Sequence, residues 1–199
     1  MTSKGKLLSL RPTGGAVSAM SDEALLAACG TGDMAALDAL FERFHVALYR
    51  FLGRLLSHDH PACDDLVQAT FLEVRRVART FRGTSSVKTW ILGIASNVAR
   101  HELRGERRRR TRHEDYVERL SAVSVRPDDQ AEHRELLARV ADLLRTLPHE
   151  LQVVFILCDL EDVPGTEVAR ALGVPEGTIW RRLHVARKTL RAALGADEP

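Results

Sequence analysis

A long run of apolar residues at three- and four-residue steps constrains the fold more than any other feature of this chain. The run consists of Leu37, Leu40, Phe41, Phe44, Leu48, Phe51, Leu52 and Leu55. This spacing places all the side chains on one face of an α-helix, where they have to be buried against other elements. Asp33 precedes the run and is a residue type that caps helices. The pattern predicts a long amphipathic helix that begins near Asp33.

Helical periodicity continues along the chain. A second helix is expected to begin near Pro61, a residue favoured in the first turn, and to bury Leu66, Val67, Phe71, Val74 and Ala78. A third follows "FRGTSS", where Gly83 breaks the chain and Ser85 or Ser86 can cap the helix. Further helices are expected near 129–146, 148–159, 164–172 and 177–194. Because no long alternating run is present, the predicted fold class is all-α.

The segment "SAVSVRPDDQ" divides the predicted helices into two groups. Pro127 blocks helix continuation and its neighbours are polar or small, as in a linker. We therefore expect two small helical bundles joined by a flexible linker, the C-terminal bundle with a helix-turn-helix. The expected divisions are a disordered extension over 1–20, a first bundle over 21–112, a linker over 113–130 and a second bundle over 131–199.

Composition indicates an ordinary soluble protein, with 45% hydrophobic and 28% charged residues. The only apolar patch near the start, "LLSL", is too short for a signal peptide or a membrane span, so we expect a cytoplasmic protein. Cys29, Cys63 and Cys158 are odd in number and widely separated, so we expect buried thiols and neither a disulfide framework nor a zinc-type pair.

Charge is strongly segregated although the formal net charge is only +2. The segment from Arg75 to Arg112 contains twelve lysines and arginines and only two acidic residues. The segment Thr178–Leu194 contains five basic residues and no acidic residue. The intervening His113–Glu135 holds seven acids and three basic residues. This pattern favours two modules that face a polyanion, joined by a segment that avoids one. The alternative is that the basic blocks are solvated helix faces.

The C-terminal segment has the spacing of a helix-turn-helix, with Ala169 four residues before Gly173 and Ile179 six residues after it. The small residue permits a close helix crossing, the glycine takes a left-handed turn, and the isoleucine locks the second helix against the first. The second helix would then enter the DNA major groove. Its core face is expected to hold Ile179, Leu183, Ala186 and Leu190. Its exposed face is expected to include Trp180, Arg181, His184, Arg187 and Lys188.

One cluster and several absent motifs bear on catalysis. Seven positions contain four residue types that can ligate a metal: His58, His60, Cys63 and Asp64. Because Pro61 lies among them in a polar stretch, a connection between helices is the favoured interpretation over a metal site. The sequence contains no Ser/His/Asp set, P-loop or Gly-rich nucleotide motif. We therefore predict neither an enzyme nor a cofactor.

The segments "DLVQATFLEVRRVARTFRGTSSVKTWILGIASNVARHELRGERRR" and "LPHELQVVFILCDLEDVPGTEVARALGVPEGTIWRRLHVARKTLR" resemble an extracytoplasmic-function (ECF) sigma factor of bacterial RNA polymerase. The resemblance runs from Asp22 to Leu194 and covers both segments in the family's order. It implies a second and a fourth conserved sigma domain, the third being absent. It also implies core RNA polymerase and promoter DNA as partners, a role in stress-responsive transcription, and an anti-sigma protein that holds the chain inactive.

The resemblance assigns the helix at 88–110 to the minus-ten element. Its apolar front, Trp90, Ile91, Ile94 and Ala95, is expected to pack into the bundle and fix the preceding loop. Asn97 is the candidate reader of a base turned out of the duplex, which costs a few kcal/mol that the pocket has to return. The arginine end would hold phosphates. The implied minus-ten set is Phe81, Arg82, Ser85, Lys88, Asn97, Arg100, Arg104, Arg107 and Arg108, with the phosphate contacts extending to Arg110.

Two further surfaces follow from the resemblance. A polymerase-binding face is implied at Asp65, Gln68, Leu72 and Arg75, at helical steps on a side away from the core stripe. Without the resemblance, this face would be interpreted as a solvated surface. Contacts with the minus-thirty-five element are implied for Thr178, Trp180, Arg181, Arg182, His184, Arg187 and Lys188.

The chain departs from the family pattern at several positions. Gly93 stands where a basic residue is common, and we expect it to remove a phosphate contact and weaken the helix slightly. Pro164 replaces the usual Ser that opens the first helix of the helix-turn-helix, and Gly165 follows it, so this helix is expected to start differently. Trp180 and Val185 stand where basic residues are frequent, and Arg181 replaces a small hydroxyl residue. The sequence preferred at the minus-thirty-five element therefore cannot be predicted from the resemblance.

Two alternatives remain open at this stage. A stand-alone helix-turn-helix regulator would protect duplex DNA through the C-terminal bundle without polymerase. A nucleic-acid-modifying enzyme with an unrecognised site would alter DNA or RNA by itself.

Overall fold

A computed structural model describes residues 19–56, 60–110 and 139–195, with the backbone alone for 106–110. Within these ranges the chain is helix and turn without a strand, so the predicted all-α class is confirmed. The expected extension before residue 19, the expected linker over 113–130 and His58 lie outside the described residues. Over the same ranges, no helix combines the length and apolar character that crossing a bilayer requires.

The first bundle contains four helices. They are α1 (Asp22–Gly30), α2 (Met34–Leu55), α3 (Cys63–Val77) with a 3-10 turn at Ala78–Thr80, and α4 (Val87–Arg110). The Asp33 carboxylate accepts hydrogen bonds from the backbone N–H groups of Ala35 at 2.9 Å and Ala36 at 3.2 Å, which confirms the predicted cap. The apolar stripe of α2 is buried except for Phe41, whose ring is partly exposed and packs on Phe71.

Helix α3 begins at Cys63, two residues after the expected Pro61. The backbone N–H of Cys63 donates to the carbonyl of His60, and that of Ala62 donates to the His60 ring, so a turn contains Pro61. All five residues expected on the core face of α3 and its extension are buried. In the next loop Gly83 takes a left-handed φ of 67°, and the Ser86 hydroxyl accepts from the N–H of Thr89. Both expectations for this loop are confirmed.

The second bundle begins with α5, described over 139–146. It continues with α6 (His149–Phe155), extended by a π-helical turn at Ile156–Leu160, and with α7 (Gly165–Leu172) and α8 (Glu176–Leu194). Gly173 takes a left-handed φ of 66°, and the N–H of Val174 donates to the carbonyl of Ala169. Ala169 and Ile179 are buried on either side of this turn. The predicted helix-turn-helix is therefore confirmed.

The two bundles contact each other where α4 crosses α7. A Cβ atom added at Gly93 would lie 2.9 Å from the backbone oxygen of Ala171, closer than side chains approach such atoms. Gly93 is buried in this crossing. The sequence predicted that Gly93 removes a phosphate contact and weakens the helix slightly, and did not predict that its missing side chain permits backbone contact between the bundles.

Candidate nucleic-acid and polymerase interfaces

The loop before α4 combines packed and exposed side chains. The Phe81 ring meets the Trp90 ring edge-on, with centroids 5.4 Å apart, and is half-buried against the core. The packing of Phe81 on Trp90 therefore positions the loop against the core of the bundle. Of the implied minus-ten residues in this loop, Arg82 is exposed and Ser85 is half-buried.

Asn97 is exposed on α4, one turn before Arg100. The Arg100 guanidinium donates to the Asn97 side-chain oxygen at 3.0 Å, which orients the amide. A groove of about 690 Å³ separates α4 from α3 here, with Asn97 on one wall and Asp65 on the other. Arg104 is exposed further along the helix, whereas the side chains of Arg107 and Arg108 lie outside the described residues.

A carboxylate of the second bundle binds two cations of the first. Glu161 accepts hydrogen bonds from Arg54 of α2 and from Lys88 of α4, the latter at 2.7 Å. The Glu161 side chain is only 10% exposed, whereas those of Arg54 and Lys88 are 34% and 39% exposed, so water reaches these bonds from the side of the cations. Lys88, an implied minus-ten residue, thus contacts a carboxylate of the same chain.

A second carboxylate binds the amino end of α4. Glu167 of α7 accepts a hydrogen bond from the backbone N–H of Ser86 at 2.9 Å. Burial alone would raise the pKa of Glu167, but hydrogen bonds from Thr89 and Ser86 outweigh it and lower the pKa. Arg170, one turn later, donates to the carbonyl of Thr84 at 3.3 Å. Two residues of α7 therefore hold the end of the loop assigned to the minus-ten element, at Thr84 and Ser86.

His149 forms the third contact between the bundles. Its Nε2–H donates to the carbonyl of Ser96 at 2.9 Å in the neutral ring, and no group in the described part of the chain bonds its buried Nδ1. Burial lowers the pKa of His149 below the ordinary 6.5, and Arg100 and Arg104 lower it further. The Ser96 bond and Glu150 oppose this shift. Glu150 also forms a long ion pair with Arg100 at 3.9 Å.

These contacts partly cover the surface assigned to the minus-ten element. Sequence reasoning found the basic residues of this surface but missed Glu161, Glu167 and His149 of the second bundle. No local pattern marks the three residues, because their partners lie 53 to 107 positions away in the chain.

The four residues of the implied polymerase-binding face are brought together on α3. Asp65, Gln68, Leu72 and Arg75 are all exposed, and Leu72 is 65% exposed, an unusual condition for a leucine. An apolar side chain among polar neighbours matches the composition of a reversible protein interface.

The recognition helix α8 buries its expected core face and exposes most of the implied DNA contacts. Arg181, His184 and Lys188 are exposed, whereas Thr178 and Arg182 are half-buried. Arg187 donates two hydrogen bonds to Asp159, at 2.6 and 2.9 Å. This bidentate pair ties α8 to the π-helical turn, so Arg187 has a positioning role within the bundle.

Two family models match separate parts of the chain. Sigma-70 region 2 matches residues 40–109, and Sigma-70 region 4 matches residues 137–190. The first match contains the α3 face and α4, and the second contains the helix-turn-helix.

Curated proteins are similar over most of the length. The ECF RNA polymerase sigma factor SigM of Mycobacterium tuberculosis is 34% identical over 88% of this chain and 85% of its own. The chain belongs to the ECF sigma factors. The ECF sigma-E factor of Haemophilus influenzae is 28% identical over 86% of this chain and 94% of its own. This ECF sigma factor is thus a transcription initiation factor that binds RNA polymerase and promoter DNA.

Solved structures share the fold of this sigma factor. CnrH, in complex with the cytosolic domain of CnrY, superposes with a TM-score of 0.62 at 26% identity, over 89% of this chain and 99% of its own. The sigma factor RpoE of Bartonella quintana, in complex with the anti-sigma factor NepR, gives 0.60 at 23% identity, over 79% and 96%.

Replacing Glu161 by Gln should weaken the contact between the bundles. The loss of a hydrogen-bonded charge would leave Arg54 and Lys88 facing a neutral amide, a change that costs about 1.5–3 kcal/mol. Small-angle X-ray scattering of the free chain should show a larger radius of gyration for Glu161→Gln. Asp142→Asn, which removes an exposed carboxylate within α5, is the control and should leave the radius unchanged. Equal radii for all three proteins would contradict this prediction.

Acidification should also separate the bundles through His149. Because its pKa is lowered in the contact, the stabilisation by neutral His149 is fully present above pH 6.5 and is lost as the pH falls below that value. The radius of gyration should increase as the pH is lowered from about 7.5 to about 5.5. His149→Gln, which keeps an N–H donor but does not titrate, should remove this part of the response. A pH response of unchanged size in His149→Gln would contradict the assignment.

Proposed function

We propose that this ECF sigma factor acts in the cytoplasm and has no catalytic activity of its own. The first bundle, over 21–112, reads the minus-ten element, and the second, over 131–199, reads the minus-thirty-five element. The observation that carries the proposal is that one chain presents two helices rich in basic residues, α4 and α8, together with an exposed mixed face on α3. Reading two promoter elements while bound to polymerase requires all three surfaces.

Different residues of α4 recognise bases and bind phosphates. Asn97 is exposed and oriented by Arg100, and an amide of this kind can read the edge of a base that has left the duplex. Arg82, Arg100, Arg104 and Arg107 with its neighbours supply positive charge for phosphates. Phosphate contacts give affinity without sequence information, so the choice of promoter rests on Asn97 and the loop.

The covered minus-ten surface has to be exposed before it can bind DNA. Lys88 and the amino end of α4 are bound by Glu161 and Glu167, two carboxylates in places where a phosphate would also be accepted. Binding of the α3 face to core polymerase supplies the free energy that separates the bundles. Free chain should therefore bind promoter DNA weakly.

An anti-sigma protein is the further partner that we propose. CnrH and RpoE of Bartonella quintana were both solved as complexes, the second with an anti-sigma factor, and this chain shares their fold. Such a protein would inhibit the chain by holding the bundles together over the minus-ten surface.

The decisive experiment is runoff transcription. Transcripts from a cognate promoter should appear only when core polymerase and this chain are combined. Leu72→Ala should weaken binding to core polymerase by about 1.5–3 kcal/mol, the worth of one buried leucine side chain. Val46→Ala trims an equally apolar, 47% exposed side chain on α2 and is the control that should remain active.

Three results would count against this proposal. Failure of the chain to bind core polymerase would exclude the sigma mechanism. Footprints on duplex DNA without polymerase would favour a stand-alone helix-turn-helix regulator. Equal effects of Leu72→Ala and Val46→Ala would remove the α3 face from the interface.

Asn97→Ala and Arg108→Ala should have different effects. Loss of the amide should reduce open-complex formation and relax the preference at the minus-ten element. Loss of the arginine should weaken binding evenly across sequences and lower the salt slope by about one. Permanganate footprinting on promoters with substituted minus-ten bases measures the first effect, and a salt titration of binding measures the second. If neither variant changed the sequence preference, the assignment of base recognition to Asn97 and of phosphate binding to Arg108 would be wrong.

A further inference from the structure

The tryptophan on the recognition helix packs closely on a glycine. Trp180 is 50% exposed near the start of α8, although large aromatic side chains are rarely left so open. A Cβ atom added at Gly165 would lie 3.0 Å from the Cζ2 and Cη2 atoms of the indole ring. The indole ring therefore packs directly on Gly165, the first residue of α7. Gly165 of α7 and Trp180 of α8 therefore form one packed unit.

The polar atom of Trp180 is already used within the chain. Its indole N–H donates to the carboxylate of Glu176 at 3.0 Å. Glu176 is the first residue of α8, where the helix dipole favours a negative charge and so helps to keep this acceptor in place. Tryptophan has one donor and no acceptor, so the ring has no hydrogen-bonding group left for a base.

A ring fixed in this way can offer DNA only an apolar surface. Among the groups that base pairs present in the major groove, the C5-methyl group of thymine is the apolar one. Trp180 lies between the core position Ile179 and the exposed cation Arg181, in the part of the recognition helix that enters the groove. We propose that Trp180, held by Gly165 and Glu176, selects thymine in the minus-thirty-five element by contact with its methyl group.

This inference rests on the proposed function and adds a specificity to it. Arg181 and His184 are exposed near Trp180 and can form hydrogen bonds with bases or phosphates. Neither of them distinguishes thymine from uracil, because the two bases differ only in the methyl group. Discrimination against deoxyuridine is therefore specific to the apolar contact.

The test compares thymine with deoxyuridine in the same element. Full-length chain with core polymerase first selects its minus-thirty-five sequence from randomised promoters, and each thymine is then replaced by deoxyuridine. Wild type should bind at least one substituted promoter about fourfold more weakly, the worth of one buried methyl group. Trp180→Ala should bind the thymine and deoxyuridine promoters equally. Gly165→Ala keeps the tryptophan but displaces its ring, so it should reduce the ratio of binding to the thymine promoter over binding to the deoxyuridine promoter.

Arg181→Ala is the matched control on the same helix, and it should weaken binding while keeping the ratio between the two bases. Wild type that ignores deoxyuridine at every position would overturn the proposal, as would a fourfold ratio that persists in Trp180→Ala. Circular dichroism verifies that the variants are folded. The same ratios measured on duplex DNA without polymerase separate the two proposals. A ratio that depends on Trp180 in a chain that never binds polymerase would contradict the sigma mechanism alone.

Discussion

The ion pairs of Glu161 with Arg54 and Lys88 join the second bundle to the first. The Glu161 side chain is 10% exposed, while those of Arg54 and Lys88 are 34% and 39% exposed, so burial strengthens the attraction only in part. The same burial makes the carboxylate costly if the partners leave without being replaced. If α4 binds the promoter as proposed, Lys88 has to exchange the Glu161 carboxylate for a phosphate. The promoter and the second bundle then compete for the same positive group.

Most of the fold could be predicted because its determinants are local. The stripe of α2, the Asp33 cap, the Gly83 break and the Ser86 cap each depend on residues within a few positions. The helix-turn-helix follows from Ala169, Gly173 and Ile179, whose spacing fixes a turn and a crossing. The start of α3 was misplaced by two residues, because proline is as well suited to a turn before a helix as to its first turn.

The contact between the bundles could not be predicted from the sequence. Glu161, Glu167 and His149 carry no periodic or motif signal, and their roles depend on which distant residues folding brings near them. Gly93 shows the difficulty most clearly. The family resemblance indicates that a basic residue is absent at position 93. The structure shows that a side chain at this position would come too close to the carbonyl oxygen of Ala171. Exposure of Asn97, Leu72 and Trp180 fits the roles implied by family resemblance, but those roles depend on partners outside the chain.

The packing of Trp180 on Gly165 couples two positions that lie on different helices of the helix-turn-helix. A side chain at position 165 would place its Cβ atom 3.0 Å from the far edge of the indole ring, so the ring would have to shift. A substitution on α7 can therefore move an exposed aromatic group on α8 while every residue of the recognition helix stays the same.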